Sequence, residues 1–179
     1  MICISPSQFL AQKNVQLYFI KNDPPLGKGI FVRKMIELSE QCIVLELQAT
    51  NKEGLLEEMA RAVSGKYPEL DIKTIQQVLL EREQLGSTGV GNGVAIPHGK
   101  LQELDQCVVC FGRSTKGIGF EAKDNKPVHL VVMILSPINM AQEYLHTLAR
   151  ISKLMNNESN RSKFLQASSK KIIQQLFGA

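Results

Sequence analysis

Cysteine is scarce in this sequence, and long apolar runs are absent. The 179 residues include four cysteines, too few for a disulfide framework in a chain long enough to bury its own core. No apolar run approaches the roughly 20 residues that a membrane-spanning helix needs. The N-terminal stretch MICISPSQFLAQKNVQLYFI also has neither the basic start nor the continuous apolar stretch of a signal peptide. We therefore expect a cytoplasmic protein that is not embedded in a membrane.

Excess charge is also small, and it lies outside most of the chain. The formal net charge is +4, but residues 1–34 hold five basic residues against Asp23 alone. The remaining 145 residues are neutral overall. Nucleic-acid binding requires a clustered basic face, so the sequence predicts no nucleic-acid partner.

The N-terminal extension, residues 1–34, ends in KNDPPLGKG, a composition typical of linkers. We expect it to be flexible or to lie upstream of a true start at Met35. A basic arm that binds a partner or a membrane surface is the alternative. The folded domain is predicted to occupy residues 35–179.

Periodicity in residues 35–179 predicts a mixture of strands and helices. The runs CIVLEL, CVVCFG and VHLVVMIL are typical of buried strands. One helix is predicted over TNKEGLLEEMARAVSG, with a capping box from Thr50 to Glu53 and Gly65 at its end, and a second from Asp71 to a stop at Gly86. The chain from Ala141 onward reads as helical. We predict an α/β fold, a mixed β-sheet covered by helices on both faces.

Two motifs that suggest a cofactor or a metal do not fit their context. Cys107-Val-Val-Cys110 lies in a strand-like run, where a redox pair would need a helix N-terminus, so two core cysteines are expected. No second Cys/His pair stands at zinc-ligand spacing. The glycines after the second helix match neither a P-loop nor a dinucleotide-binding pattern. The sequence therefore predicts neither a metal nor a cofactor.

The segment LGSTGVGNGVAIPHGK holds five glycines and one histidine, His98. Glycines reach positive φ at low cost and let main-chain amides converge on an anion. Pro97 holds Ile96 extended, which fixes the place of His98, and a neutral imidazole can accept a phosphoryl group. These residues predict a phosphate site between the amides of residues 86–93 and the ring. A glycine-rich turn beside a hydrogen-bonded histidine explains the same pattern.

The stretch LLEREQLGSTGVGNGVAIPHGKL, with the later FEAKDNKPVHLVVMIL, resembles the enzyme IIA proteins of the bacterial phosphoenolpyruvate-dependent phosphotransferase system. The resemblance covers residues 36–177 and implies the fructose/mannitol-type fold. Asn92 and Gly99 resemble the nitrogen-regulatory branch, since sugar-transporting members tend to carry Glu and Ala there.

The resemblance also implies roles for individual residues. His98 matches the phosphoacceptor and Arg82 the arginine that stabilises the phosphate. The loop residues Thr88, Gly89, Gly91 and Gly93 would bind phosphate. Tyr144 stands where many members have a second histidine and is expected to donate a hydrogen bond to the phosphate. His146 is expected to be a structural residue that is on the helix surface or partly buried, and His129 to lie on a strand with a satisfied hydrogen bond.

Three functions remain open on the sequence. The first is a regulatory phosphoryl carrier that takes phosphate on His98 from a histidine-containing phosphocarrier protein and regulates targets such as transporters or kinases. The second is a sugar-transport subunit that passes phosphate to a fructose or mannitol permease. The third is an interaction module in which His98 is never phosphorylated.

Overall fold

The structure, a computed structural model, describes residue 36 and residues 38–178; the predicted N-terminal extension lies outside these residues. A 3₁₀ turn at Glu40–Cys42 comes first. The strands are β1 (Ile43–Val44), β2 (Gly89–Gly91), β3 (Val94–Ala95), β4 (His98–Leu101), β5 (Val108–Ile118) and β6 (Val128–Pro137). The helices are α1 (Lys52–Lys66), α2 (Ile72–Gln84), α3 (Ala141–Asn156), α4 (Glu158–Gln166) and α5 (Lys170–Gly178). All three predicted strand runs contain a strand, although β1 is shorter than CIVLEL.

The strands form one mixed sheet around the long antiparallel pair β5 and β6. The order is β1-β5-β6-β3-β2, with β4 also pairing with β6. β1 runs parallel to β5, and β3 and β4 run parallel to β6. The pairings Val94↔Leu130 and His98↔Ile134 have the same register, and the amide of Ile134 donates to the carbonyl of Pro97 at 2.9 Å. Residues 94–101 are therefore one extended segment along β6, and Pro97 does not change the register of its pairing with β6.

Helices cover both faces of this sheet, as predicted. Adjacent strand residues point to opposite faces. On β5, a Cβ at Gly112 would meet Met59 of α1, whereas the neighbouring Phe111 packs against Phe164 and Phe177 of α4 and α5 at centroid distances of 5.3 and 5.9 Å. On β4, a Cβ at Gly99 would meet α2. The first two helices thus form one layer, and the C-terminal helices form the other.

The ends of the first two helices agree only in part with the sequence. Asp71 caps α2 by accepting from the amide of Thr74, as predicted. α1 is capped by Asn51, whose side chain accepts from the amide of Gly54, and not by Thr50. The predicted capping box is therefore wrong by one residue, because Asn51 offers an equally good acceptor one position later. Gly65 lies inside the helix, which ends at Lys66.

The remaining features of the fold are the state of the cysteines and the composition of the helices. Cys42 and Cys110 are buried, unbridged thiols that are hydrogen-bonded to each other, and Cys107 is partly buried. Across the described residues, no helix combines the length and the apolar composition needed to cross a membrane.

Candidate functional site

His98 is held at the start of β4 by the strand before it. The ring Nδ1 lies 2.9 Å from the carbonyl oxygen of Ile96, two residues back along the extended segment. The side chain is partly buried. Because Gly99 faces α2, its neighbour His98 points toward the layer of C-terminal helices. The sheet thereby fixes both the position of the imidazole and the direction of one ring nitrogen.

Arg82 contacts the other ring nitrogen. It lies in the last turn of α2, and its Nε donates to His98 Nε2 at 2.8 Å. Its Nη1 donates to the carbonyl of Gly86 at 3.0 Å. Arginine offers only donors, so Nε2 must be the acceptor nitrogen. Nδ1 then carries the proton and donates it to Ile96, and this is a neutral imidazole with its lone pair on Nε2.

The surroundings keep this imidazole neutral. Burial lowers the pKa of His98 below its ordinary value of 6.5, and the positive charge of Arg82 lowers that pKa further. The hydrogen bond to Ile96 and the negative charge of Glu83 act in the opposite direction and do not reverse it. Near pH 7 Nε2 is therefore unprotonated, which is what a nucleophilic histidine requires.

Tyr144 stands beside His98, from the first turn of α3. The ring centroids are 5.7 Å apart, with the planes inclined by 47°. Burial raises the pKa of Tyr144, so the hydroxyl stays protonated and able to donate a hydrogen bond. His146 is exposed on the same helix, as the sequence predicts. His129 lies on β6 with its Nδ1 3.0 Å from the carbonyl oxygen of Ser114, which confirms the expected satisfied strand histidine.

The glycine-rich loop is not the open anion nest that the sequence suggests. The amide of Gly86 donates to the carbonyl of Glu83, and that of Thr88 to the carboxylate of Glu83. The amides of Gly89 and Asn92 donate to Ser87 Oγ and to the carboxylate of Asp124. The Thr88 hydroxyl also donates to Glu83, at 2.5 Å. For these amides and this hydroxyl the predicted free donors are wrong, because the loop uses them to hold its own shape. Phosphate binding by Gly91 and Gly93 stays a prediction.

The glycines of the loop are instead explained by close packing and by the backbone conformation of the turn. A Cβ at Gly89 would lie 2.7 Å from both Cα and Cβ of Ala122. Gly91 and Gly93 have φ values of 93° and 74°, on either side of Asn92 at 54°. Left-handed residues of this kind form the tight turn between β2 and β3. The hairpin then delivers the chain into the segment that carries His98.

Glu83 is the site residue that the sequence reasoning missed. It is buried in the last turn of α2, with a side-chain exposure of 5%, and Lys52 Nζ lies 3.4 Å from its Oε1. A signal was present: Glu83 continues the buried series Ile75, Leu79, Glu83 at spacings of four. A carboxylate on the buried side of an amphipathic helix requires compensating partners. Here those partners are the loop residue Thr88 and Lys52.

The arrangement offers no built metal site. Within residue 36 and residues 38–178, no group of three or more His, Cys, Asp or Glu side chains is placed to hold a metal ion. The site thus contains a neutral imidazole, a guanidinium that donates a hydrogen bond to the imidazole lone pair, and a phenol beside the ring. These groups suit a nucleophilic nitrogen and an anion next to it.

Comparisons with known proteins identify similar chains. Over 131 residues the chain is 37% identical to the nitrogen regulatory protein of Bradyrhizobium diazoefficiens, covering 73% of this chain and 84% of that protein. It is 33% identical over 136 residues to the PTS system fructose-specific EIIABC component of Bacillus subtilis; that match covers 76% of this chain but only 21% of the relative's length.

A solved structure and a family profile cover the same region. The crystal structure of the nitrogen regulatory protein IIA-Ntr from Neisseria meningitidis is similar with a TM-score of 0.74 and 33% identity, over 78% of this chain and 95% of that one. Residues 37–179 match the family described as the phosphoenolpyruvate-dependent sugar phosphotransferase system, EIIA 2. The chain belongs to this family of phosphotransferase-system EIIA domains.

Proposed function

We propose that the protein is a regulatory phosphoryl carrier that accepts a phosphoryl group on Nε2 of His98. The donor is the phosphohistidine of a histidine-containing phosphocarrier protein. The observation that supports this most directly is the pair of contacts on the ring, Ile96 carbonyl on Nδ1 and Arg82 on Nε2. Together they leave one nitrogen with a lone pair and place a cation beside it.

The transfer exchanges one phosphorus–nitrogen bond for another. The Nε2 lone pair of His98 forms the new bond to phosphorus while the bond to the donor histidine breaks, and that electron pair returns to the donor imidazole. Nδ1 keeps its proton, which is hydrogen-bonded to the Ile96 carbonyl. This hydrogen bond stabilises the positive charge that the ring acquires. Such transfers require in-line positioning and charge stabilisation, and Arg82 beside Nε2 supports the second requirement with its positive charge.

Arg82 acts before and after the bond is made. In the resting site its Nε occupies the Nε2 lone pair, so the guanidinium has to move aside as the donor arrives. It then lies next to the phosphoryl oxygens, where its planar set of donors can pair with two of them. We assign Tyr144, whose ring lies beside that of His98, the role of a further donor to the phosphate.

The regulatory role follows from the change in charge and from the relatives. A phosphoryl group adds about −1.5 to −2 charges at one point, enough to alter which partner surfaces fit. Two of the reported relatives are nitrogen regulatory proteins, and Asn92 and Gly99 agree with that branch. Targets such as transporters or kinases, and a cytoplasmic location, stay predictions.

The decisive experiment is phosphorylation of the purified protein with the upstream phosphotransferase proteins and phosphoenolpyruvate, followed by a phosphopeptide map. We expect acid-labile phosphate on His98 and none in His98→Ala, with His146→Ala as the matched control that accepts phosphate normally. Equal labelling of His98→Ala would contradict the proposal. No labelling of any variant, with partner binding retained, would instead favour the unphosphorylated interaction module.

A sugar-transport role is the second candidate, because a fructose-specific EIIABC component is among the relatives. In that role phosphate would pass from His98 to a permease domain. Membranes that hold a fructose or mannitol permease decide between the two functions. Formation of sugar phosphate that depends on His98 would support transport, and stable phosphohistidine in the presence of the permease and sugar supports regulation.

A further inference from the structure

Two hydrogen-bonded paths lead from Glu83 to the two nitrogens of His98, one from its carboxylate and one from its main-chain carbonyl. On the first path, Thr88 donates to Glu83 Oε2 from its amide at 2.9 Å and from its hydroxyl at 2.5 Å. The carbonyl of Thr88 then accepts from the amide of Ile96 at 3.0 Å. The carbonyl of the same Ile96 receives the Nδ1 proton of His98. The carboxylate therefore fixes the peptide that sets the tautomer.

The second path runs through the turn at Gly86. The amide of Gly86 donates to the main-chain carbonyl of Glu83 at 3.0 Å, and the carbonyl of Gly86 accepts from Arg82 Nη1. Arg82 Nε in turn contacts His98 Nε2. The turn between Glu83 and Thr88 is closed by the Thr88 contacts, so it also sets where Gly86 presents its carbonyl to Arg82.

The buried charge of Glu83 is compensated from outside the site. Lys52 at the start of α1 lies 3.4 Å from Oε1 and donates to Glu121 at 2.6 Å, and its Nζ stands 5.5 Å from the centroid of the Phe120 ring. Oε1 itself has no hydrogen-bond partner. Burial of a carboxylate costs free energy when one of its oxygens is left without a hydrogen bond.

We infer that Glu83 is a positioning residue for phosphoryl transfer, holding the Ile96 carbonyl on Nδ1 through Thr88 and Arg82 on Nε2 through the Gly86 turn. This inference rests on the proposed function for its kinetic consequence, but its structural part does not. Glu83 does not touch the phosphoryl group. It acts only through Thr88, Ile96, Gly86 and Arg82.

The test compares Glu83→Gln with Glu81→Gln, which removes the same charge from an exposed position of the same helix. The first measurement is ¹⁵N NMR of the unphosphorylated His98 ring. In the parent and in Glu81→Gln we expect the Nδ1-protonated tautomer, and in Glu83→Gln a mixture of both tautomers. The second measurement is phosphate acceptance from the carrier protein. We expect Glu83→Gln to lower kcat roughly ten- to a hundredfold, with KM for the carrier little changed, since misplacement by about 1 Å is enough for such a loss.

Thr88→Val and Thr88→Ser keep the inference testable if Glu83→Gln fails to fold. Valine removes the hydroxyl at nearly constant shape, and serine restores it; we expect the tautomer mixture and the kcat loss in the first and recovery in the second. Parent-like tautomer and kcat in Glu83→Gln, or in a folded Thr88→Val, would overturn the inference. If the parent accepts no phosphate, the proposed function fails, while the NMR comparison still decides the positioning role.

Discussion

At the scale of single residues, the reactivity of His98 depends on two neighbours that act differently. The Ile96 carbonyl selects the tautomer through one hydrogen bond. Arg82 contributes a positive charge that disfavours protonation of the ring and an Nε–H donor that occupies Nε2, the nitrogen that we propose as the phosphoryl acceptor. A lysine would keep the charge but lose the planar donor set, so the two contributions can be separated by substitution.

Arg82→Gln should raise the pKa of His98, because it removes the nearby cation that lowers that pKa. As pH falls from 7, phosphate acceptance by the parent should therefore stay level to a lower pH than acceptance by the variant, whose ring protonates earlier. NMR titration of the ring measures the shift directly. Arg82→Lys is the matched control and should titrate close to the parent. A pKa in Arg82→Gln that is unchanged or lower would contradict this electrostatic account.

Tyr144→Phe keeps the ring beside His98 and removes only the hydroxyl. If that hydroxyl donates to the phosphoryl group, the rate of phosphate acceptance should fall roughly ten- to a hundredfold, the effect of one hydrogen bond to a charged group. Rapid-quench kinetics with the carrier protein measures the rate. Tyr67→Phe, at the end of α1, should leave the rate unchanged. A Tyr144→Phe rate equal to that of the parent would reduce Tyr144 to a packing role.

At the scale of elements, the sequence predicts those features that depend on near neighbours in the chain. The Asp71 cap, the stop at Gly86 and the extended segment after Pro97 all follow from local rules. The burial of Glu83 and the contact of Gly89 with Ala122 depend on which elements pack together. Local reasoning therefore placed His98 correctly and misread the loop before it. Free amides were predicted where Glu83, Ser87 and Asp124 supply acceptors, and only Asp124 is distant in the sequence.

The space around two glycines, one in the loop and one in α1, predicts opposite effects of alanine substitution on stability. Gly89→Ala should destabilise the fold by about 1–3 kcal/mol, because overpacking forces the backbone near Ala122 to shift. Gly65→Ala should stabilise it by about 0.5–1 kcal/mol, since this position lies inside α1 and a Cβ there meets nothing within 4 Å. Urea unfolding measures both. A neutral Gly89→Ala would contradict this steric account of the close contact with Ala122.

At the scale of the whole molecule, the site joins three parts of the fold. His98 comes from the sheet, Arg82 from the helices on one face, and Tyr144 from the helices on the other. Arg113 on β5 ties one of these layers to the sheet by donating to the carbonyls of Leu165 and Ala167. The candidate site is therefore complete only when both layers have packed, which couples its geometry to the stability of the domain.

Removal of residues 1–34 should leave both the urea midpoint and phosphate acceptance unchanged. Among the described residues the buried core begins at Leu38, the family match begins at residue 37, and His98 contacts Arg82, Ile96 and Tyr144. The comparison uses the full chain, the shortened chain and His98→Ala in each. An unchanged midpoint with slower acceptance would contradict the prediction. Because five of the 34 residues removed are basic, that result would indicate that the extension steers the carrier protein electrostatically, and the loss should then diminish as salt screens the charges.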